Sequence, residues 1–285
     1  MFSEIKTKEM TFKELFEVGF ELFRTNWKAI AILTLLAYIP VILLERLIIE
    51  PSLRDLVMLF GAGDAFEATN IMMVTQIMLE TNVDAMPIEV VSAILRTSYT
   101  MLAATLISSI VFVPLLHSGQ TYLVKETAGD RQVTGEDMIN ITIASIFKTA
   151  VTALVAFSCL MLGFMLFIVP GVYMAIVFAF AIPAVIVTGE FGFGALKESF
   201  LVVRGRFFKT LIFLVIVNVI SFVLVNITAI IGIIIFSFLP GNIIFSAIVS
   251  LISNFVLAYF VMVECLWFVN KYFVKTDVRD CERTA

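Results

Sequence analysis

The stretch that decides the fold is Thr149–Gly189, TAVTALVAFSCLMLGFMLFIVPGVYMAIVFAFAIPAVIVTG, which contains no charged residue. A membrane-spanning helix needs about 20 mostly apolar residues, so this run is too long for one span and right for two. Pro170-Gly171 stands near its middle, and that dipeptide stops a helix and turns the chain. The reading is a helical hairpin, Thr149–Val169 with Val172–Thr188. The same pattern recurs downstream. Thr210–Val263 is also free of charge and carries Pro240-Gly241, giving a second hairpin, Thr210–Leu239 with Asn242–Asn270. Upstream, the apolar runs Trp27–Ile49 and Ser98–Val124 make a third pair. Six spans follow.

The whole composition agrees. Of 285 residues, 61% are hydrophobic and 15% charged, against roughly half and a quarter in a soluble domain. The chain is expected to be all-α: a polytopic membrane bundle forming one domain, 1–285. A net charge of −4 excludes a nucleic-acid binder. The three cysteines, Cys159, Cys265 and Cys281, are too far apart for a metal or disulfide motif and read as free thiols. The N-terminus mixes both charge signs without an early apolar region, so no cleavable signal peptide is expected.

Lys and Arg set orientation, because short cytoplasmic loops retain positive charge. All but three of the 19 basic residues fall on one side of the six spans; Arg46, Arg54 and Arg96 are the exceptions. Both termini, including the tail 271–285, are therefore expected in the cytoplasm of a bacterial-type plasma membrane.

Each hairpin is introduced by a similar device. Thr11 and Glu14 form a capping box ahead of an interfacial helix, 11–26, on which Phe12, Leu15, Phe16 and Phe23 share a face. Thr134 with Asp137 opens a second such helix, Thr134–Ile146, and Gly194–Arg206 is the third. They end on Trp27-Lys28, Phe147-Lys148 and Phe208-Lys209. These aromatic–Lys pairs suit headgroup depth, with the ring at the interface and the ammonium reaching water. The chain thus reads as three pseudo-repeated units of surface helix plus hairpin. Such repeats are common in transporters, but symmetry assigns no activity.

The outer connection, 50–97, is longer than the others. It is acidic and holds Met58, Met72, Met73, Met78 and Met86 among the chain's 13 methionines. It reads as a helical cap on the outer face. Adaptable Met side chains also suit a docking surface for a membrane-protein partner, and irregular Met spacing argues against copper binding.

An ionisable group inside a span is a functional candidate by default. His117, Gln120 and Glu264 lie at similar depth near the cytoplasmic end. A His117–Glu264 pair is allowed by depth, as is a Glu264 that reaches toward surface bases. Asn218, Ser221 and Asn226, and Ser250, Ser253 and Asn254, read as interhelical hydrogen-bonding groups. A single histidine excludes HExxH and His-rich metal sites. No Asp lies in a span to orient a Ser–His pair, and no Walker A or GxGxxG occurs. Asn140 and Asn226 match the glycosylation pattern by chance. No catalytic residue, metal or cofactor is implied.

The run Ile168-Val169-Pro170-Gly171-Val172-Tyr173, then Ala181-Ile182-Pro183-Ala184, then Gly194-Ala195-Leu196-Lys197-Glu198-Ser199 and Arg204-Gly205-Arg206-Phe207, resembles the membrane domain of some bacterial glycerophosphoryl diester phosphodiesterases. It is also similar to related stand-alone six-span bacterial membrane proteins. The likeness is sharp over 165–210 and loose from Phe12 to Lys275. In the fused enzymes a separate soluble domain carries catalysis, and this chain has no room for it. The resemblance therefore implies fold and location rather than that activity. The expectation from sequence is a non-catalytic membrane protein that organises lipid or a membrane partner, or else a small transporter or accessory permease subunit.

Overall fold

A computed structural model describes residues 4–49, 51–52, 54–55, 88–236 and 243–284. The Met-rich part of the outer connection and Pro240-Gly241 lie outside these. The chain is helical, and six helices are long and apolar enough to cross a membrane: Trp27–Ile49, Ile88–Thr127, Gly135–Leu166, Ile168–Thr188, Phe207–Gly232 and Ile248–Thr276. No strand occurs among the described residues. The chain divides into two compact units, one of Met1–Tyr38 with Ile110–Ala285, the other of Ile39–Ser109.

In the larger unit the elements are α1 (Glu4–Thr7), α2 (Phe12–Thr25), the first part of α3 (Trp27–Leu44), α5 (Val113–Thr127), α6 (Gly135–Leu166), α7 (Ile168–Phe178), α8 (Ala181–Thr188), α9 (Phe193–Val203), α10 (Phe207–Phe236) and α11 (Ile243–Thr284). The smaller unit holds the end of α3, a π turn at Glu45–Ile49, and α4 (Ile88–Ile107). There Thr97 donates to the Ser52 carbonyl at 3.0 Å, and Arg96 pairs with Asp55 at 3.0 Å.

The capping boxes form as their sequences direct. Thr11 Oγ1 accepts from the Glu14 amide while Glu14 accepts from the Thr11 amide at 2.7 Å. Thr134 and Asp137 repeat the arrangement. The third unit departs from it, because α9 is preceded by Gly192 with no side-chain cap. A second departure lies in α6, which runs unbroken from Gly135 to Leu166, so Thr134–Ile146 is the first third of a span helix rather than a separate surface helix. Nothing interrupts it, since Phe147-Lys148 contains neither Pro nor Gly. By contrast, Asn26 breaks α2 from α3, its side chain donating back to the Leu22 carbonyl at 3.0 Å.

The hairpin turn also moves. The break between α6 and α7 falls at Phe167, which is extended (φ −165°, ψ 160°), and Pro170-Gly171 sits in the first turn of α7. Proline is tolerated there because a first-turn N–H has no helical partner to lose, and the Phe164 ring packs against Gly171. Pro183 is what divides the fourth span. It cannot donate to the carbonyl four residues back, and α7 ends at Phe178 while α8 starts at Ala181.

The core is the stretch of α11 from Phe260 to Lys271. Every residue from Phe260 to Lys271 except Glu264 is buried, and α1, α2, α5, α8, α9 and α10 all pack on this helix. A ladder of rings runs through it. Phe12 stacks on Phe213 (5.9 Å between centroids), Phe213 on Trp267 (5.4 Å), Trp267 on Phe180 (4.8 Å), and Phe180 on Phe268 (5.7 Å). The buried face of α2 is Leu15, Val18, Gly19 and Leu22. It shares Leu15 with the face predicted from sequence, while two of that face's rings pack elsewhere: Phe12 onto α10, Phe23 onto Phe255 and Tyr259 of α11.

Close approach replaces hydrophobic drive inside a membrane, where lipid tails are as apolar as leucine. At Gly119 of α5 a Cβ would lie 2.5 Å from Leu33 Cδ2 and 2.9 Å from Thr142 Oγ1. That glycine lets α3, α5 and α6 meet. Gly119→Leu should lower stability by roughly 1–3 kcal/mol, read as a fall in the thermal midpoint of the purified protein. An unchanged midpoint would show that these three helices do not touch there.

Candidate functional site

A cavity of about 390 Å³ in the larger unit is lined by Glu9, Phe12, Leu15, Arg206, Lys209, Trp267 and Lys271 among others. It lies where the N-terminal segment and the start of α2 meet the ends of the fifth and sixth spans. The N-terminal segment forms one wall, the start of α10 another, and α11 the back.

Asn270 positions the first wall. Completely buried, it donates to the Ile5 carbonyl at 2.8 Å and the Lys8 carbonyl at 2.7 Å, and accepts from the Met10 amide at 3.1 Å. Its neighbour Lys271, also buried, donates to Glu9 Oε1 at 2.9 Å and reaches the Met10 carbonyl at 3.5 Å. Residues 5–10 are thereby strapped to α11, and Thr11 then starts α2.

Gly205 positions the second wall. Its φ of 87° is a left-handed conformation that glycine adopts freely. It reverses the chain between α9 and α10, with the Arg206 amide donating to Val203 at 3.0 Å. Arg206 and Lys209, three residues apart across the first turn of α10, both reach the cavity. Arg206 forms an ion pair with Glu9 Oε2 at 3.6 Å, too long for a hydrogen bond. Neither side chain donates a hydrogen bond among the described residues.

The cavity therefore presents three cations to one carboxylate above an apolar floor of Phe12, Leu15 and Trp267. The hydrogen bond from Lys271 holds the Glu9 carboxyl below its usual 4.5; burial opposes this, and Arg206 and Lys209 add to it. Beside it Lys8 pairs with Glu14 at 2.6 Å. That bond, followed by those to Thr11, holds Glu14 down to about 2.

The intramembrane candidates form no single site. Glu264 accepts from Asn218 of α10 at 3.2 Å, and no hydrogen bond or ion pair joins it to His117. Cys265 takes the position facing α5, where it meets the His117 carbonyl at 3.8 Å and accepts from Thr121 at 3.2 Å. Glu264, one residue earlier, is turned about 100° away. Gln120 donates to the Ala258 carbonyl at 2.9 Å and leaves its own oxygen buried without a partner. Of the three asparagines read as interhelical, Asn218 alone bonds across. Asn226 returns to the Phe222 carbonyl of its own turn, and Asn254 has no side-chain bond among the described residues.

The aromatic–Lys pairs are all at the surface. Trp27, Phe147 and Phe208 are exposed, and Lys28 sits 5.9 Å over the Trp27 ring. Among the described residues no group of three or more His, Cys, Asp or Glu could hold a metal ion. Glu9, Arg206, Asn270 and Lys271 were missed as site residues. Their one sequence signal is a polar pair, Asn270-Lys271, directly after a long apolar run. No protein-family profile, curated protein or solved structure matches the chain.

A carboxyl held below its usual value adds stability above its unfolded value of 4.5, lost as pH falls through the lower folded value. Acidification below about pH 5 should therefore destabilise the protein in detergent. Glu9→Gln should flatten part of that dependence while Glu14 keeps the remainder. Identical pH profiles for the variant and the parent would remove Glu9 from the strap.

Proposed function

We propose that this chain is a non-catalytic multi-pass membrane protein that organises anionic lipid at one face of a bacterial-type plasma membrane, with both termini in the cytoplasm. The observation that carries this reading is the cavity above. Three cations gather there at the polar ends of two spans, over an apolar floor. An amphiphile with a negative headgroup answers both halves of that lining, because juxtamembrane Lys and Arg attract anionic lipid by about 1 kcal/mol each. The distribution of Lys and Arg along the sequence supports the orientation, and the three exposed aromatic–Lys pairs suit headgroup depth. The resemblance to a phosphodiesterase membrane domain supports the same location. Partner docking through 50–97 remains compatible with this role.

A second reading, a small transporter or accessory permease subunit, draws on Glu264. This carboxylate lies inside a span and is bonded by Asn218, itself on an exposed face of α10.

The two readings separate in one experiment. Delipidated protein should gain thermal stability from phosphatidylglycerol and little from phosphatidylcholine, since a ligand at 100 times its Kd adds about 2.7 kcal/mol. Equal stabilisation by both lipids, together with solute flux abolished by Glu264→Gln, would favour transport instead.

A further inference from the structure

The charge arrangement narrows the headgroup. Within the cavity Lys271 and Glu9 already satisfy each other at 2.9 Å, and Lys271 is further held by the Met10 carbonyl. This pair is neutral as a unit and belongs to the strap. What remains is Lys209 and Arg206, the latter in a looser ion pair with Glu9 Oε2 at 3.6 Å; neither donates a hydrogen bond among the described residues, and the three cations outnumber the one carboxylate by two. Two positive charges are therefore left for a ligand at the first turn of α10.

A phosphodiester headgroup carries one negative charge and would leave one cation unmatched. A phosphomonoester carries between one and a half and two at neutral pH, with three acceptor oxygens. The guanidinium of Arg206 offers a planar fork suited to two of those oxygens, and the Lys209 ammonium serves as a point charge for the third. The start of α10 contributes in the same direction, because unpaired amides and the helix dipole favour an anion at a helix N-terminus. Beside this point the apolar lining is Phe12, which is 42% exposed, backed by the buried Leu15 and Trp267. A soluble phosphate has nothing to place there, whereas an acyl chain does.

Resting on the lipid reading above, we propose that the cavity is a phosphomonoester site, formed by Arg206 and Lys209 beside the Glu9–Lys271 pair, that takes lipids of the phosphatidic acid class in preference to phosphodiester lipids.

Native mass spectrometry of the full chain tests this with dioleoyl phosphatidic acid and dioleoyl phosphatidylglycerol as probes. The expected result is roughly tenfold tighter binding of phosphatidic acid. Arg206→Gln with Lys209→Gln should abolish that preference, while Lys148→Gln, which removes an exposed base elsewhere, should preserve it. Equal affinity for the two lipids would overturn the phosphomonoester assignment and leave the anionic-lipid reading standing. Binding of neither above phosphatidylcholine would overturn both. Millimolar glycerol 3-phosphate is expected not to compete; displacement by it would overturn the lipid source and assign the site to a soluble phosphate. Should the double variant fail to fold, Arg206→Lys alone carries the test, because loss of the fork should reduce the preference while charge is retained.

Discussion

Asn270 holds the molecule's first and last segments together. One buried side chain uses its oxygen and both hydrogens of its amide nitrogen on the backbone of residues 5, 8 and 10. These are peptide groups with no helical partner, and in a site closed to water each would cost about 1–3 kcal/mol if left unpaired. Because Asn270 is adjacent to Lys271, the same turn of α11 that satisfies the strap also places a cation against Glu9. The entry into α2, the first wall of the cavity and the Glu9–Lys271 pair descend from this one residue.

Elsewhere the bundle is assembled from small contacts. Gln120 to Ala258, Thr121 to Cys265, Ser199 to Val177 and Gly192 to Thr152 each join two segments across a short polar bond. Bonds of this kind average about 0.6 kcal/mol in membranes, so they fix register more than they supply stability. The aromatic ladder through Phe213, Trp267, Phe180 and Phe268 does the reverse, filling volume with little directional demand. Lysines close helix ends between these layers: Lys125 donates to the Ile186 carbonyl at the end of α8, and Lys275 to the Leu201 carbonyl at the end of α9. A cation at a helix C-terminus satisfies an orphan carbonyl and opposes the dipole.

The spans were readable in the sequence because a charge-free run of this length has one physical meaning. The caps at Thr11 and Thr134 were readable because their chemistry is local. The turn at Phe167 was not, since Pro170 is equally content inside the first turn of a helix, and only the packing of Phe164 on Gly171 selects that outcome. The unbroken course of α6 was hidden for a related reason: an amphipathic first third and an apolar remainder do not by themselves require a break. The site was least readable. Glu9 and Lys271 are 262 residues apart, and Arg206 and Lys209 looked like ordinary bases at the start of a span. Periodicity finds faces of helices, but it does not say which faces meet. Glu264 illustrates this: depth allowed His117, whereas one residue of helical phase gave it Asn218.

The account's central claim is that a buried amide straps the N-terminal segment to the last helix and so builds an anion site at the membrane surface. The most direct measurement is an experimental map of the protein in nanodiscs containing phosphatidic acid. It should show residues 5–10 on Asn270, headgroup density about 3 Å from Arg206 and Lys209, and an acyl chain against Phe12. A map with the N-terminal segment detached from α11, or with the cavity empty and lipid headgroups ordered elsewhere, would contradict it.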